Sequence, residues 1–323
     1  MKAVLLLLVI CTTSLAQDVD AGDTLKIGVK LVQIIFSAVD ERGRPVSDLT
    51  EADVEVYENG EQQQIEVFQR SNTLPMLLAV LIDASASQES LLTEEKNAVE
   101  AFLDYYFREG RDYGALLTFR GESTLEVALT GNLRRLKTAL RRIKQPQNFR
   151  DEDDELSALG TALYDAILTT VREILGSNTA ARITESDKSG TRRAIRRAII
   201  LLSDGKDTAS NSSLKKAIRN AQRFGVSIYT IGIGDSFRYG EVDRATLDSL
   251  AVETGGRAYY PVDQKQLEDA FEQIARELST QYILAYYPAS STDRFRTVEL
   301  RIKRPKVQAV HKKGYSVDEL EEE

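Results

Sequence analysis

Asp83-Ala84-Ser85-Ala86-Ser87 sets one carboxylate and two hydroxyls close together, directly after the apolar run at 76–82. An apolar run of that length, with a polar turn behind it, predicts a buried strand. In an open α/β sheet, ligands bind beyond the carboxyl ends of the strands. Two more pieces suit the same edge. Thr161 follows Gly160 at a helix start, and Asp204 ends a second apolar run, Leu201-Leu202-Ser203-Asp204-Gly205. Together they offer two carboxylates and three hydroxyls. These are hard oxygen donors, suited to Mg²⁺, Mn²⁺ or Ca²⁺ rather than to zinc or copper.

The elements that must position these residues follow from the hydrophobic pattern. Strands are predicted at 76–83, 113–119, 124–129, 198–203, 226–233 and 257–261, and helices at 91–108, 132–143, 160–175, 212–224, 243–253 and 264–279. Strand–helix alternation specifies a mostly parallel sheet. The second and third strands are too close for a crossover helix, so one edge strand runs antiparallel. β patterns also open and close the chain. Residues 25–70 carry β-prone runs and an Asn59-Gly60 hairpin turn, and strands are predicted again at 282–287, 295–302 and 307–310. Neither piece is large enough to hold a stable sheet alone, so one β-sandwich built from both is the economical arrangement. The expected organisation is a leader at 1–16, an N-terminal sandwich segment at 25–70, an inserted α/β domain at 75–278, a C-terminal sandwich segment at 280–318 and an acidic tail at 319–323.

Asp83, Ser85 and Ser87, then Thr161, then Asp204-Gly205, in that order and on those elements, resemble the von Willebrand factor type A domain with its metal-ion-dependent adhesion site (MIDAS), over roughly residues 75–278. The resemblance implies a Rossmann-like, doubly wound sheet, here inserted in a small β-sandwich. It implies that Asp83, Ser85, Ser87, Thr161 and Asp204 hold a divalent cation, Mg²⁺ first, with Mn²⁺ and Ca²⁺ as alternatives. It also implies that the last ligand is an Asp or Glu of a partner protein. Within the family the last helix can shift when that ligand arrives, and here it would be the helix at 264–280, which runs directly into the β segment. The Gly-Arg-Pro-Val turn, the Asn-Gly hairpin and the closing Lys-Gly-Tyr resemble a bacterial secreted family built around the same domain.

Composition narrows the function. The formal net charge of −8 argues against a nucleic-acid partner. The basic run at 134–144 has the apolar spacing of an amphipathic helix with a solvated face. Met1-Lys2, a short apolar core and Ser14-Leu15-Ala16 read as a secretory signal cleaved after Ala16. The chain is then expected to be secreted or periplasmic, with no transmembrane segment. The only cysteine, Cys11, lies inside that leader, so no disulfide is expected afterwards. Lipid anchoring through Cys11 is disfavoured by the bulky Ile10 before it.

Each candidate also has a plainer reading. Asp and Ser after a strand often cap the next helix, and only the combination of all three motifs displaces that reading. Asp165 and Asp207 are expected to stay outside direct ligation. Ser203 could bond a site group or simply be buried. Asn211-Ser212-Ser213 has the form of a glycosylation acceptor but is better placed to cap a helix. Gly232-Ile233-Gly234-Asp235 lacks the context of a nucleotide loop. With His311 as the only histidine, no nucleophilic triad can be assembled. The expected function is therefore a non-enzymatic, metal-dependent recognition module. A structural envelope component stabilised by metal, and a metal-dependent hydrolase, are the alternatives.

Overall fold

The computed structural model describes residues 31–85, 92–143, 160–176, 183, 195–234, 241–289 and 293–316. The expected leader, Ser87, residues 145–157, nearly all of residues 177–193 and the acidic tail lie outside the described residues. Among those described, no helix is long and apolar enough to cross a membrane.

The α/β domain is a six-stranded sheet in the order β10-β9-β8-β5-β6-β7. Its strands are β5 (Met76–Asp83), β6 (Tyr113–Phe119), β7 (Ser123–Thr130), β8 (Arg196–Ser203), β9 (Val226–Gly232) and β10 (Ala258–Tyr259). All pairs are parallel except β6–β7, which is antiparallel. β5 lies in the middle and is buried along its whole length, as expected of a strand covered on both faces. Its side chains alternate between two cores. Leu78, Val80 and Ile82 face α1 (Leu92–Tyr106), α2 (Leu133–Arg142) and α6 (Gln264–Ser279). Leu77, Ala79 and Leu81 face α3 (Leu163–Thr169), α4 (Leu214–Arg223) and α5 (Arg244–Thr254). α3 continues into a π-helical turn at Thr170–Ile174. Ser213 caps α4 by accepting the Lys216 N–H at 3.3 Å, in line with the capping reading of Asn211-Ser212-Ser213.

The terminal segments form two antiparallel four-stranded sheets, β13-β1-β11-β4 and β14-β12-β2-β3. The N-terminal strands are β1 (Val32–Asp40), β2 (Val54–Glu58), β3 (Glu61–Gln63) and β4 (Val67–Arg70). The C-terminal ones are β11 (Tyr282–Tyr286), β12 (Phe295–Ile302), β13 (Val307–His311) and β14 (Gly314–Ser316). The two sets interleave: β1 lies between β11 and β13, and β12 between β2 and β14. They share one core that includes Ile34, Phe36, Val56, Tyr282, Leu284, Val298 and Leu300. The β2–β3 hairpin turns on Asn59 and Gly60, both with positive φ (50° and 86°), as a type I′ turn requires.

Two details depart from the sequence reading. β10 is only two residues long, where 257–261 was expected. β14 was not expected as a strand. It exists because Gly314–Ser316 pairs with the start of β12, Phe295 opposite Ser316.

Candidate metal centre

The chain runs from β5 to β6 on one side, then returns to β8 on the other side of β5. Strand order therefore reverses between β5 and β8, and their carboxyl ends open the crevice where α/β sheets bind ligands. Parallel pairing brings Ile82 level with Leu202, which sets Asp83 beside Ser203. The Ser203 hydroxyl donates to Asp83 Oδ2 at 2.7 Å, and the Ser85 N–H donates to Asp83 Oδ1 at 3.0 Å. Asp83 has no exposed surface, Ser85 is 6% exposed and Asp204 4%.

Asp204 is followed by Gly205, whose φ is +81°. A side chain at 205 would lie 2.7 Å from the Asp243 carbonyl and 2.9 Å from Leu247, so both the backbone and the neighbours require glycine. The Gly205 N–H donates to Ser203 Oγ at 3.0 Å, the Lys206 N–H donates to Asp204 Oδ1 at 3.1 Å, and Lys206 Nζ lies 3.8 Å from Asp204 Oδ2.

Thr161, buried just before α3, is tied to the loop that follows Asp204. Its N–H donates to Thr208 Oγ1 at 2.9 Å, and its carbonyl accepts the Thr208 and Ala209 N–H groups at 2.9 and 3.1 Å. Asp207 and Asp165 fasten the same seam. Asp207 Oδ1 accepts from the Tyr164 N–H and the Ser210 hydroxyl, and Asp165 Oδ2 accepts from the Asn211 N–H. Both are committed to backbone and loop. The structure thus gathers Asp83, Ser85 and Asp204 at the switch point and ties the Thr161 turn to the same loop. Ser87 lies outside the described residues.

Ser203 and Glu95 add to the site. Ser203, for which the sequence left two readings open, bridges the two strand ends. Glu95 escaped the sequence reading. It sits on the buried stripe of α1 with Leu92, Val99 and Phe102, and neither carboxyl oxygen has a hydrogen-bond partner among the described residues. The signal was an acid at a position where that spacing calls for an apolar residue.

The electrostatics are one-sided. Burial pushes the Asp83 carboxyl up to about 6; hydrogen bonds from Ser85 and Ser203 oppose this, and the Asp204 charge adds to it. Burial, then the charges of Asp83 and Glu94, push Glu95 well above the carboxylate range. Buried acids with so little positive charge nearby are costly, and a cation relieves that cost. The donors present, carboxylate and hydroxyl oxygens, fit a divalent ion that prefers oxygen. Among the described residues no group of three or more His, Cys, Asp or Glu side chains gathers.

The von Willebrand factor type A domain profile matches residues 78–273. Proximal thread matrix protein 1 from the mussel byssus has a similar fold, with a TM-score of 0.51 at 17% identity over 69% of this chain and 51% of that one. A second structure of the mussel protein, described with a zinc-occupied MIDAS motif, gives 0.51 at 16% identity over 70% and 50% of the two chains. An aerotolerance-related membrane protein from Bacteroides fragilis NCTC 9343, with multiple mutations to serines, gives 0.43 at 18% identity over 62% and 98%. The match spans about half the length of the mussel chain. At such identities the likeness is one of fold. No curated protein sequence matches the chain.

Proposed function

The chain belongs to the von Willebrand factor type A domain family, and from that premise we propose that it is a metal-dependent protein-binding module rather than an enzyme. The observation that carries this reading is the pair of buried aspartates, Asp83 and Asp204, at the strand-order reversal, with hydroxyls as the other nearby donors. In this reading Ser85, Ser87 and Thr161 supply neutral oxygens. Asp83 and Asp204 supply charge, directly or through water, while Ser203 and the Ser85 N–H hold Asp83 in place. A bound divalent cation supplies the positive charge that an Asp or Glu of the partner pairs with. Mg²⁺ is the ion proposed, with Mn²⁺ and Ca²⁺ as alternatives; the zinc-occupied motif of the mussel protein supports a divalent ion without naming this one. The leader expected at 1–16 supports action outside the cytoplasm, secreted or periplasmic. The non-enzymatic reading is supported by His311, the only histidine. It lies in β13, where Nε2 accepts the Leu300 N–H at 3.3 Å and Nδ1 is 2.8 Å from the Lys312 carbonyl.

Isothermal titration of the chain from Gln17 onward with Mg²⁺, Mn²⁺ and Ca²⁺, beside Asp83→Ala, tests the site. Saturable binding that the variant loses is expected. Absence of binding in the wild type, with or without a carboxylate such as glutarate, would overturn the reading. If metal raises the melting temperature but no carboxylate ligand binds with it, the structural-component alternative takes its place.

A further inference from the structure

Away from the metal centre, a groove of about 350 Å³ runs between α4 and α5 and ends under β12, lined by Leu214, Ile218, Phe295, Lys215, Arg219 and Glu253 among others. From it we infer a second docking surface, one that takes an acidic, amphipathic segment of a partner protein.

The floor is apolar where the surrounding pattern is not. Along β12, Arg296, Val298 and Leu300 turn inward, while Phe295, Thr297, Glu299 and Arg301 turn outward. Phe295 is the one apolar residue of that outer set and is 43% exposed. Its ring lies over Gly314, where an added Cβ would collide with Phe295 Cζ, so the glycine lets the ring rest flat at the end of the groove. Leu214 and Ile218 project from α4 at helical spacing and are only half-buried. Apolar surface gathered this way marks an interaction site more often than scattered residues do.

The rim supplies the partner's sign. Lys215 and Arg219 stand one helical turn apart on α4, both exposed, and among the described residues neither enters an ion pair or side-chain hydrogen bond. Some basic side chains on the surface are paired, as Lys137 and Arg141 are with Glu100; Lys215 and Arg219 differ in standing beside an apolar floor. In a chain of net charge −8, two cations left open beside an apolar floor favour an acidic ligand. Gln222 Nε2 donates to the Glu253 carbonyl at 2.8 Å, and Lys312 Nζ donates to the Gln222 carbonyl at 3.4 Å; the Glu253 carboxylate is the one acid among the lining residues, against the two cations Lys215 and Arg219. With no set of donors converging on the floor, the groove suits a peptide that brings apolar side chains to Leu214, Ile218 and Phe295 and acids to Lys215 and Arg219. That is the helix-in-groove or extended-segment mode of peptide recognition.

The test is selection of a phage-displayed random-peptide library on the full chain, followed by affinity measurement of the selected peptides. Expected are peptides that combine Asp or Glu with Leu, Ile or Phe. Their affinity should fall by about tenfold or more on the double variant Lys215→Glu, Arg219→Glu and on Phe295→Ser, with melting temperatures near wild type, and should persist in EDTA. Persistence in EDTA separates this groove from the metal centre, so either proposal can fail alone. Peptides without acidic bias, or affinities unchanged by charge reversal, would overturn the inference. Two further outcomes would also overturn it by naming another occupant. One is tighter peptide binding once the chain is cut after Ser316, which assigns the groove to residues 317–323. The other is a concentration-dependent dimer that charge reversal dissolves, which assigns it to a second copy.

Discussion

At the scale of single residues, the proposed metal centre would depend on groups that need not touch an ion. Ser203 fixes one oxygen of Asp83 at 2.7 Å, and such supporting bonds are worth roughly 10–100-fold in metal affinity. Ser203→Ala is expected to weaken cation binding by that order in calorimetric titration while the far-UV circular dichroism stays unchanged. Glu95 gives a prediction in pH. Its folded carboxyl titrates well above the 4.5 of the unfolded chain, so the folded state holds a proton that the unfolded state has released. Its contribution to stability is therefore present at low pH and lost as the pH rises above 4.5. Glu95→Gln cannot lose that proton. The stability difference, variant minus wild type in EDTA, should grow in the variant's favour from pH 4.5 upward in urea titrations. A flat difference would mean that water or an ion reaches Glu95.

At the scale of elements, the sandwich is joined by buried polar groups as well as by its apolar core. Glu58 at the end of β2 accepts from the Tyr286 and Tyr315 hydroxyls at 2.9 and 2.6 Å and from Arg296 at 2.6 Å. Three C-terminal strands thus converge on one N-terminal acid. Arg296→Met would leave that charge buried without its ion pair, a loss of about 3–5 kcal/mol, read as a lower urea midpoint. Tyr315→Phe should cost less, about 1.5–3 kcal/mol, since one charge-assisted bond goes while the ion pair stays. Between β12 and β13, burial holds the His311 ring neutral, its pKa lowered from 6.5 to about 4. Here the unfolded state binds the proton first, so stability is full above 6.5 and lost as the pH falls toward 4. A His311→Asn variant should lack that portion of the acid limb in thermal melts recorded across the window.

At the scale of the whole molecule, the α/β domain and the sandwich are tied through the last helix. Arg196, at the start of β8, donates to the carbonyls of Leu278 and Leu74, the latter at 2.9 Å. Glu277 on α6 accepts from Tyr229 at 3.0 Å, and Arg257 reaches from Glu277 to the Gly43 carbonyl in the sandwich. A single cooperative unfolding transition is expected from this arrangement. Arg257→Ala should uncouple the domain from the sandwich and broaden or split the transition in differential scanning calorimetry. A sharp, unshifted transition would show that the remaining ties, those of Arg196 and Lys312 among them, couple the two parts without Arg257. The expected shift of the last helix, which runs straight into β11, would have to break or carry these same bonds.

Much of this was open to reading from the chain alone, because it rests on local patterns. The apolar runs ending at Asp83 and Ser203 have the length of strands buried on both faces, and the helices between them repeat near 3.6 residues. Side-chain periodicity is a one-dimensional property, so it survives without coordinates. The Asn59-Gly60 turn was legible for a similar reason, since few other pairs accept two positive φ angles. Other features were decided only in three dimensions. β14 is too short to carry a pattern and is a strand only because β12 lies beside it. Glu95 stood out only as an acid at an apolar position of its helix, and packing decided that it is buried without a hydrogen-bond partner among the described residues. Asp165 and Asp207, close in sequence to the site motifs, proved to be fasteners because their oxygens meet backbone N–H groups from the facing loop. Sequence order specified which residues reach the end of each strand. The tertiary structure decided which strand ends meet, because hydrogen-bonded pairing between distant segments, not local propensity, sets β5 beside β8.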